Sequence, residues 1–131
     1  MTTWQEEFND KRLAEGGWYG CDVGDGWQKI IMEADEQLAF IDPDYKIHQV
    51  KEKFGTLRFY FGTDKVGIEQ QIMLAITYSA ERRSSSTCED CGKYGRYRPQ
   101  LGWVRTLCND CYALVPAERK RKDAIEDEPD T

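Results

Sequence analysis

The chain has 131 residues and a formal net charge of −6, with 40% hydrophobic and 32% charged residues, which suits one soluble domain or a small domain plus a minidomain. No apolar run approaches the ~18 residues of a membrane span, and the N-terminus lacks the basic and apolar regions of a signal peptide. The expected setting is therefore the cytoplasm, where thiols stay reduced, and an odd count of five cysteines points to a metal site rather than a disulfide framework.

Residues 3–14 read as a helix. Thr3 and Glu6 have capping-box spacing, Trp4 and Phe8 share a face, and Gly16-Gly17 is the expected stop. Residues 16–26 form a glycine-rich loop in which the glycines allow Trp18 and Trp27 to pack closely. Asp25 is the expected N-cap of a second helix over 26–41, whose buried stripe is Trp27, Ile30, Ile31, Ala34, Leu38 and Ile41. Asp42-Pro43-Asp44 stops it.

Residues 45–52 and 56–62 read as two strands of a hairpin around Lys53-Phe54-Gly55. Leu57, Phe59 and Phe61 share one face at period 2. Ile47 and Val50 differ in parity, so the first strand either carries a bulge or is covered on both faces. A third helix over 66–83 is expected to bury Ile68, Ile72, Ala75, Ile76 and Ser79, with Arg82 and Arg83 favourable at its C-terminal end. Ser84-Ser85-Ser86 reads as a linker.

The strongest signal lies in residues 87–115. Cys88, Cys91, Cys108 and Cys111 follow C-x2-C-x16-C-x2-C, the spacing of a four-cysteine zinc site. Each Cys-x-x-Cys aims two sulfurs at one point, and two such turns supply a tetrahedral set of soft thiolates. Gly92 can supply positive φ in the first turn, while Tyr112 holds the matching place in the second. Residues 94–98 and 102–107 can pair as a hairpin between the two turns, giving a zinc ribbon. A closed four-thiolate site has a structural role. Iron in a rubredoxin-like site would use the same ligands, and spacing does not separate the two; a thioredoxin-type redox pair would need a strand–helix junction.

The other residues offer no catalytic constellation, and the chain reads as a non-enzyme. Cys21 would need a base, and His48 is the sole histidine. The glycine loop lacks phosphate-binding patterns and carries Asp22 and Asp25, which repel phosphate. The acidic excess lies mostly in the first eighty residues. The ribbon presents Arg82, Arg83 and Lys93, and above all Arg96, Tyr97, Arg98, Trp103 and Arg105, a mixture suited to protein hot spots or to phosphates and bases.

Three stretches carry a resemblance: Gly24-Asp25-Gly26-Trp27, then Val50-Lys51-Glu52-Lys53-Phe54-Gly55-Thr56-Leu57-Arg58-Phe59-Tyr60, then the two cysteine pairs with Gly102-Trp103-Val104-Arg105-Thr106-Leu107 before the second. In this order, with landmarks over residues 16–113, the chain resembles a family of small zinc-ribbon proteins encoded by bacteriophages and prophages. The resemblance implies a phage setting in a bacterial host cell and Cys88, Cys91, Cys108 and Cys111 as ligands, but no activity.

The expected fold is α+β: three helices and a small antiparallel hairpin over 1–83, a zinc ribbon over 84–116 packed on them, and a disordered charged tail over 117–131. The expected function is a phage-type accessory protein that binds and modulates a host or phage macromolecule, a protein first of all, with inhibition of host machinery or defence as the sharper version. The alternatives are a nucleic-acid-binding regulator and a nucleotide-sequestering protein or small enzyme.

Overall fold

The computed structural model describes residues 2–16 and 20–120. Helix α1 spans Trp4–Arg12 with Thr3 as its N-cap, and the Thr3–Glu6 capping box is formed in both directions. It ends before the glycines expected to stop it, because Leu13 turns extended and bridges Ile47. The packing of Trp18 lies outside the described residues, as do residues 121–131 of the tail expected over 117–131; its first residues instead form a 3-10 turn over Ala117–Arg119, with Lys120 bridging Leu101.

Strand β1, Gly20–Asp22, was not expected. It runs parallel to β2, Lys46–Lys53, which pairs antiparallel with β3, Thr56–Gly62. The hairpin is thus two strands of a three-stranded sheet in the order β1-β2-β3. β1 is held by α1: the Cys21 N–H donates to Asn9 Oδ1 at 2.7 Å, and a Cβ on Gly20 (φ +64°) would strike the Asn9 side chain. The parity problem in β2 resolves as a bulge at His48, where Ile47 faces Phe61 but Gln49 faces Tyr60. The bulge lets Ile47 and Val50 both point into the core.

Helix α2 spans Gln28–Ile41 after a 3-10 turn over Asp25–Trp27. Trp27, not Asp25, occupies the N-cap position. Asp25 is used elsewhere, accepting from the Trp4 indole at 2.9 Å and from Gln5 at 3.3 Å. The expected α2 stripe is buried except at Ile41, which is only half-buried.

Helix α3, Gly67–Ser84, presents a different face from the one expected. Met73, Thr77, Ala80 and Ser84 are buried, whereas Ile68 and Ile72 are 77% and 49% exposed, Ala75 and Ser79 are exposed, and Ile76 is half-buried. The reason is the outer edge of β3. Its Leu57 N–H donates to Ser84 Oγ at 2.8 Å and its Phe59 N–H to a Glu81 carboxylate oxygen at 2.9 Å. Those bonds fix the helix rotation and blunt an edge that would otherwise invite pairing. Ser84 is therefore helical and buried, not part of a linker.

All three helices lie toward the inner face of the sheet, around Phe8, Ile31, Leu38, Tyr45, Val50, Leu57, Phe59 and Met73. A buried polar knot closes this core. Arg12 Nε and the Tyr45 hydroxyl both donate to Asp35 Oδ1, at 2.7 and 2.6 Å, and the guanidinium lies 4.6 Å from the Tyr45 ring centre.

The ribbon follows. Strands β4, Arg96–Arg98, and β5, Arg105–Leu107, pair antiparallel, and a fourth helix, α4, Asn109–Ala113, was not foreseen. A separate small cluster of Cys88, Leu101, Leu107, Cys108 and Tyr112 forms its interior.

Candidate metal centre and the surface beside it

The four expected ligands meet. The sulfurs of Cys88, Cys91, Cys108 and Cys111 all lie within 4.8 Å of one another, and Cys91 Sγ is 3.6 Å from Cys108 Sγ. A tetrahedral zinc with Zn–S bonds of about 2.3 Å needs sulfurs about 3.8 Å apart. The geometry fits a four-coordinate metal, and the all-thiolate donor set suits zinc.

Each pair is set by a tight turn. Gly92 N–H donates to Cys88 O at 2.9 Å with Gly92 at φ +85°, and Tyr112 N–H donates to Cys108 O at 2.9 Å. The turns differ because the second runs on into α4, where Tyr112 needs no positive φ. The Cys111 N–H points at the Cys108 sulfur and holds that thiol down to about 7, against the opposing effect of burial. Burial pushes Cys111 up. Thiols crowded in this way ionise at one another's expense; a bound cation removes that conflict.

The two sequence landmarks outside the ribbon turn out to be its seats. Gly26 N–H donates to Glu89 O at 2.7 Å, Gly24 N–H to the Glu89 carboxylate at 3.0 Å, and the Trp27 indole to Thr87 O at 2.9 Å. The glycines are needed for close approach: a Cβ on Gly26 would stand 2.1 Å from Cys88 O. The hairpin tip is the second seat. Gly55 O accepts from Thr106 Oγ1 at 2.7 Å, and Glu52 accepts from the Trp103 indole at 2.7 Å and from Gly55 N–H at 2.6 Å. The Gly24–Trp27 loop therefore holds the first cysteine turn, a role the sequence did not reveal.

Of the five residues expected at a partner face, Tyr97 and Trp103 border one cleft and Trp103 and Arg105 another, whereas Arg98 points into the ribbon. Arg98 is fully buried: Nε donates to Leu107 O at 3.1 Å, Nη2 to Asn109 Oδ1 at 2.8 Å, and its guanidinium stacks 4.5 Å from the Tyr112 ring centre. It is an interior brace of the ribbon, which corrects its place on a binding face. Arg105 is paired with Asp90 and Glu89. Arg96 is half-buried. Tyr97 and Trp103 are exposed, Trp103 by 71%.

Trp103 stands between two clefts. One, of about 430 Å³, is bordered by Asp22, Gln49, Lys51, Glu52, Glu89 and Arg105; the other, of about 550 Å³, by Lys51, Glu52, Lys53, Phe54, Tyr97 and Val104. Phe54 was not expected to matter. It is 68% exposed and has φ +54° beside Gly55 at φ +87°, the pair of positive angles that a type I′ hairpin turn demands. Asn, Asp or Gly usually fills that place, and a bulky side chain there costs about 1–2 kcal/mol.

Cys21 and His48 are held apart. Cys21 pairs in register with the core-facing Val50, and burial, then Asp22, pushes its thiol up to about 12. His48 is exposed at the bulge, its ring against Gly62 on the opposite side of the sheet. Among the described residues no helix is long and apolar enough to cross a membrane. No family model matches the chain, and no curated protein and no solved structure matches it significantly.

Proposed function

We propose that this chain is a non-enzymatic accessory protein of bacteriophage type that works in the cytoplasm of a bacterial host. One structural zinc on Cys88, Cys91, Cys108 and Cys111 holds the ribbon in its two seats. The protein acts by docking a host or phage macromolecule at the junction of ribbon and hairpin tip. The carrying observation is Phe54: a strained, exposed aromatic that serves no core, beside the exposed Trp103 and Tyr97. Strain kept at an exposed aromatic favours a contact outside the fold. Closed four-thiolate coordination leaves the metal no position for chemistry, and the separation of Cys21 from His48 leaves the thiol without a base.

The test is a photo-crosslinking amino acid at position 54, compared with one at Glu36 on the helical layer, in infected cells. Crosslinks to a discrete macromolecule from position 54 alone, lost on zinc chelation, support the reading. Equal or absent crosslinking from both positions contradicts it.

A further inference from the structure

Helices α1, α2 and α3 pack toward the inner face of the sheet, and among the described residues no helix covers the outer face. The register places Lys51 opposite Arg58, Lys53 opposite Thr56 and Gln49 opposite Tyr60 on that outer face, alternating with the buried Val50, Leu57 and Phe59. Lys46 and the bulged His48 continue it, Asp22 of β1 lies on it, and Glu52 and Glu89 border the cleft at its ribbon end. In a chain of net charge −6 the strands of this face present Lys46, Lys51, Lys53 and Arg58, with the carboxylates Asp22, Glu52 and Glu89 gathered toward the ribbon.

These cations are not neutralised inside the fold, although the Lys53 ammonium lies 5.7 Å from the Phe54 ring centre. None of Lys46, Lys51, Lys53 and Arg58 forms an ion pair among the described residues, and Arg58 bonds only the neutral oxygens of Thr56 and Leu57. Tyr60 is exposed at one end of the face, and Phe54 and Trp103 at the other, where the ribbon rises as a wall. The ribbon arginines differ in this respect, since Arg98 is buried and Arg105 is paired.

We propose that this face binds single-stranded nucleic acid, with bases stacked on Trp103, Phe54 and Tyr60 and phosphates at Lys51, Lys53 and Arg58. The proposal rests on the docking reading above and names its partner. Charges repeated along a backbone, with planar apolar groups between them, are what a single strand offers to alternating cations and rings. A duplex keeps its base faces stacked inside and offers the rings nothing.

The experiment titrates the zinc-loaded full chain into fluorescent dT12, rU12 and a 12-base-pair duplex by anisotropy, from 50 to 300 mM salt. Tighter binding of a single strand than of the duplex is expected. With three phosphates engaged, log K should fall against log salt with a slope of about −2, and Lys51→Gln should flatten it by about 0.7. Trp103→Leu should weaken binding about 5- to 100-fold. Phe54→Asn is the sharper variant, because Asn suits the turn: its melting temperature should rise while its affinity falls by a similar factor. Unchanged zinc content and a cooperative melt at or above the parent's temperature guard against unfolding of either variant.

No binding to either oligonucleotide at 100 μM protein and 50 mM salt overturns the proposal, as does affinity unchanged in both aromatic variants. If position 54 then crosslinks a protein in cells, the docking reading stands and nucleic acid is excluded. If it crosslinks nothing, both fall.

Discussion

The backbone N–H of Gly26 donates to the carbonyl of Glu89 at 2.7 Å, joining the 3-10 turn that leads into α2 to the first cysteine turn. Residues far apart in the chain thus share one tightly packed seam, in which Gly26 is buried against the backbone of Cys88 and Glu89.

Gly26→Ala should cost about 3 kcal/mol, because its Cβ meets backbone atoms that cannot rotate away. Gly102→Ala, where a Cβ meets nothing nearer than 3.9 Å, should stay within about 0.5 kcal/mol of the parent. Urea denaturation with a zinc-release dye reads both. Equal midpoints for the two variants would remove the seam from the account.

The Arg12–Asp35–Tyr45 knot sets a second comparison. Asp35→Ala strands a buried guanidinium and should cost about 3–5 kcal/mol. Tyr45→Phe removes one hydroxyl and leaves the ion pair intact, so about 1–2 kcal/mol is expected. Chemical denaturation should give that order, and the reverse order would contradict a shared carboxylate at Asp35.

Acid sensitivity should be traceable to Asp42. The Thr63 hydroxyl donates to its carboxylate and holds its pKa below the ordinary value, with burial opposing and the Asp44 N–H assisting. A depressed folded pKa gives stability that is present above about pH 4 and is lost as pH falls through the folded value, because the unfolded chain takes the proton first. Thr63→Val should therefore shrink the stability difference between pH 6 and pH 3. An undiminished difference, read from melts at the two values, would exclude the contact as a source.

What was legible in the sequence was local. Thr3 and Glu6 sit three residues apart, and the four cysteines pair within their own turns, so spacing alone found the cap and the ligands. Position in space was not legible. Helix α3 is apolar on two sides, and the Ile68–Ile72–Ala75–Ser79 stripe is as regular as the Met73–Thr77–Ala80–Ser84 stripe. Only the bonds from Ser84 and Glu81 to β3 decide which one faces inward.

Strand β1 escaped because three residues among glycines show no period, and its pairing to β2 is parallel and distant in sequence. Arg98 read as a surface residue because arginines usually are; its acceptors, Leu107 and Asn109, come together only once the ribbon closes. The signal for Phe54 was present: an aromatic just before Gly55 at a two-residue turn, where Asn would be usual.

The central claim is that one zinc on four cysteines staples the ribbon into the Gly24–Trp27 seat. Hydrogen exchange on the full chain, zinc-loaded and after chelation, tests it most directly. Structural zinc can supply ~10 kcal/mol or more to folding. The account predicts one bound zinc per chain and, on its removal, lost protection over residues 87–115 together with residues 24–27. Full protection of both segments in the metal-free protein, or a purified chain that binds no zinc, would contradict it.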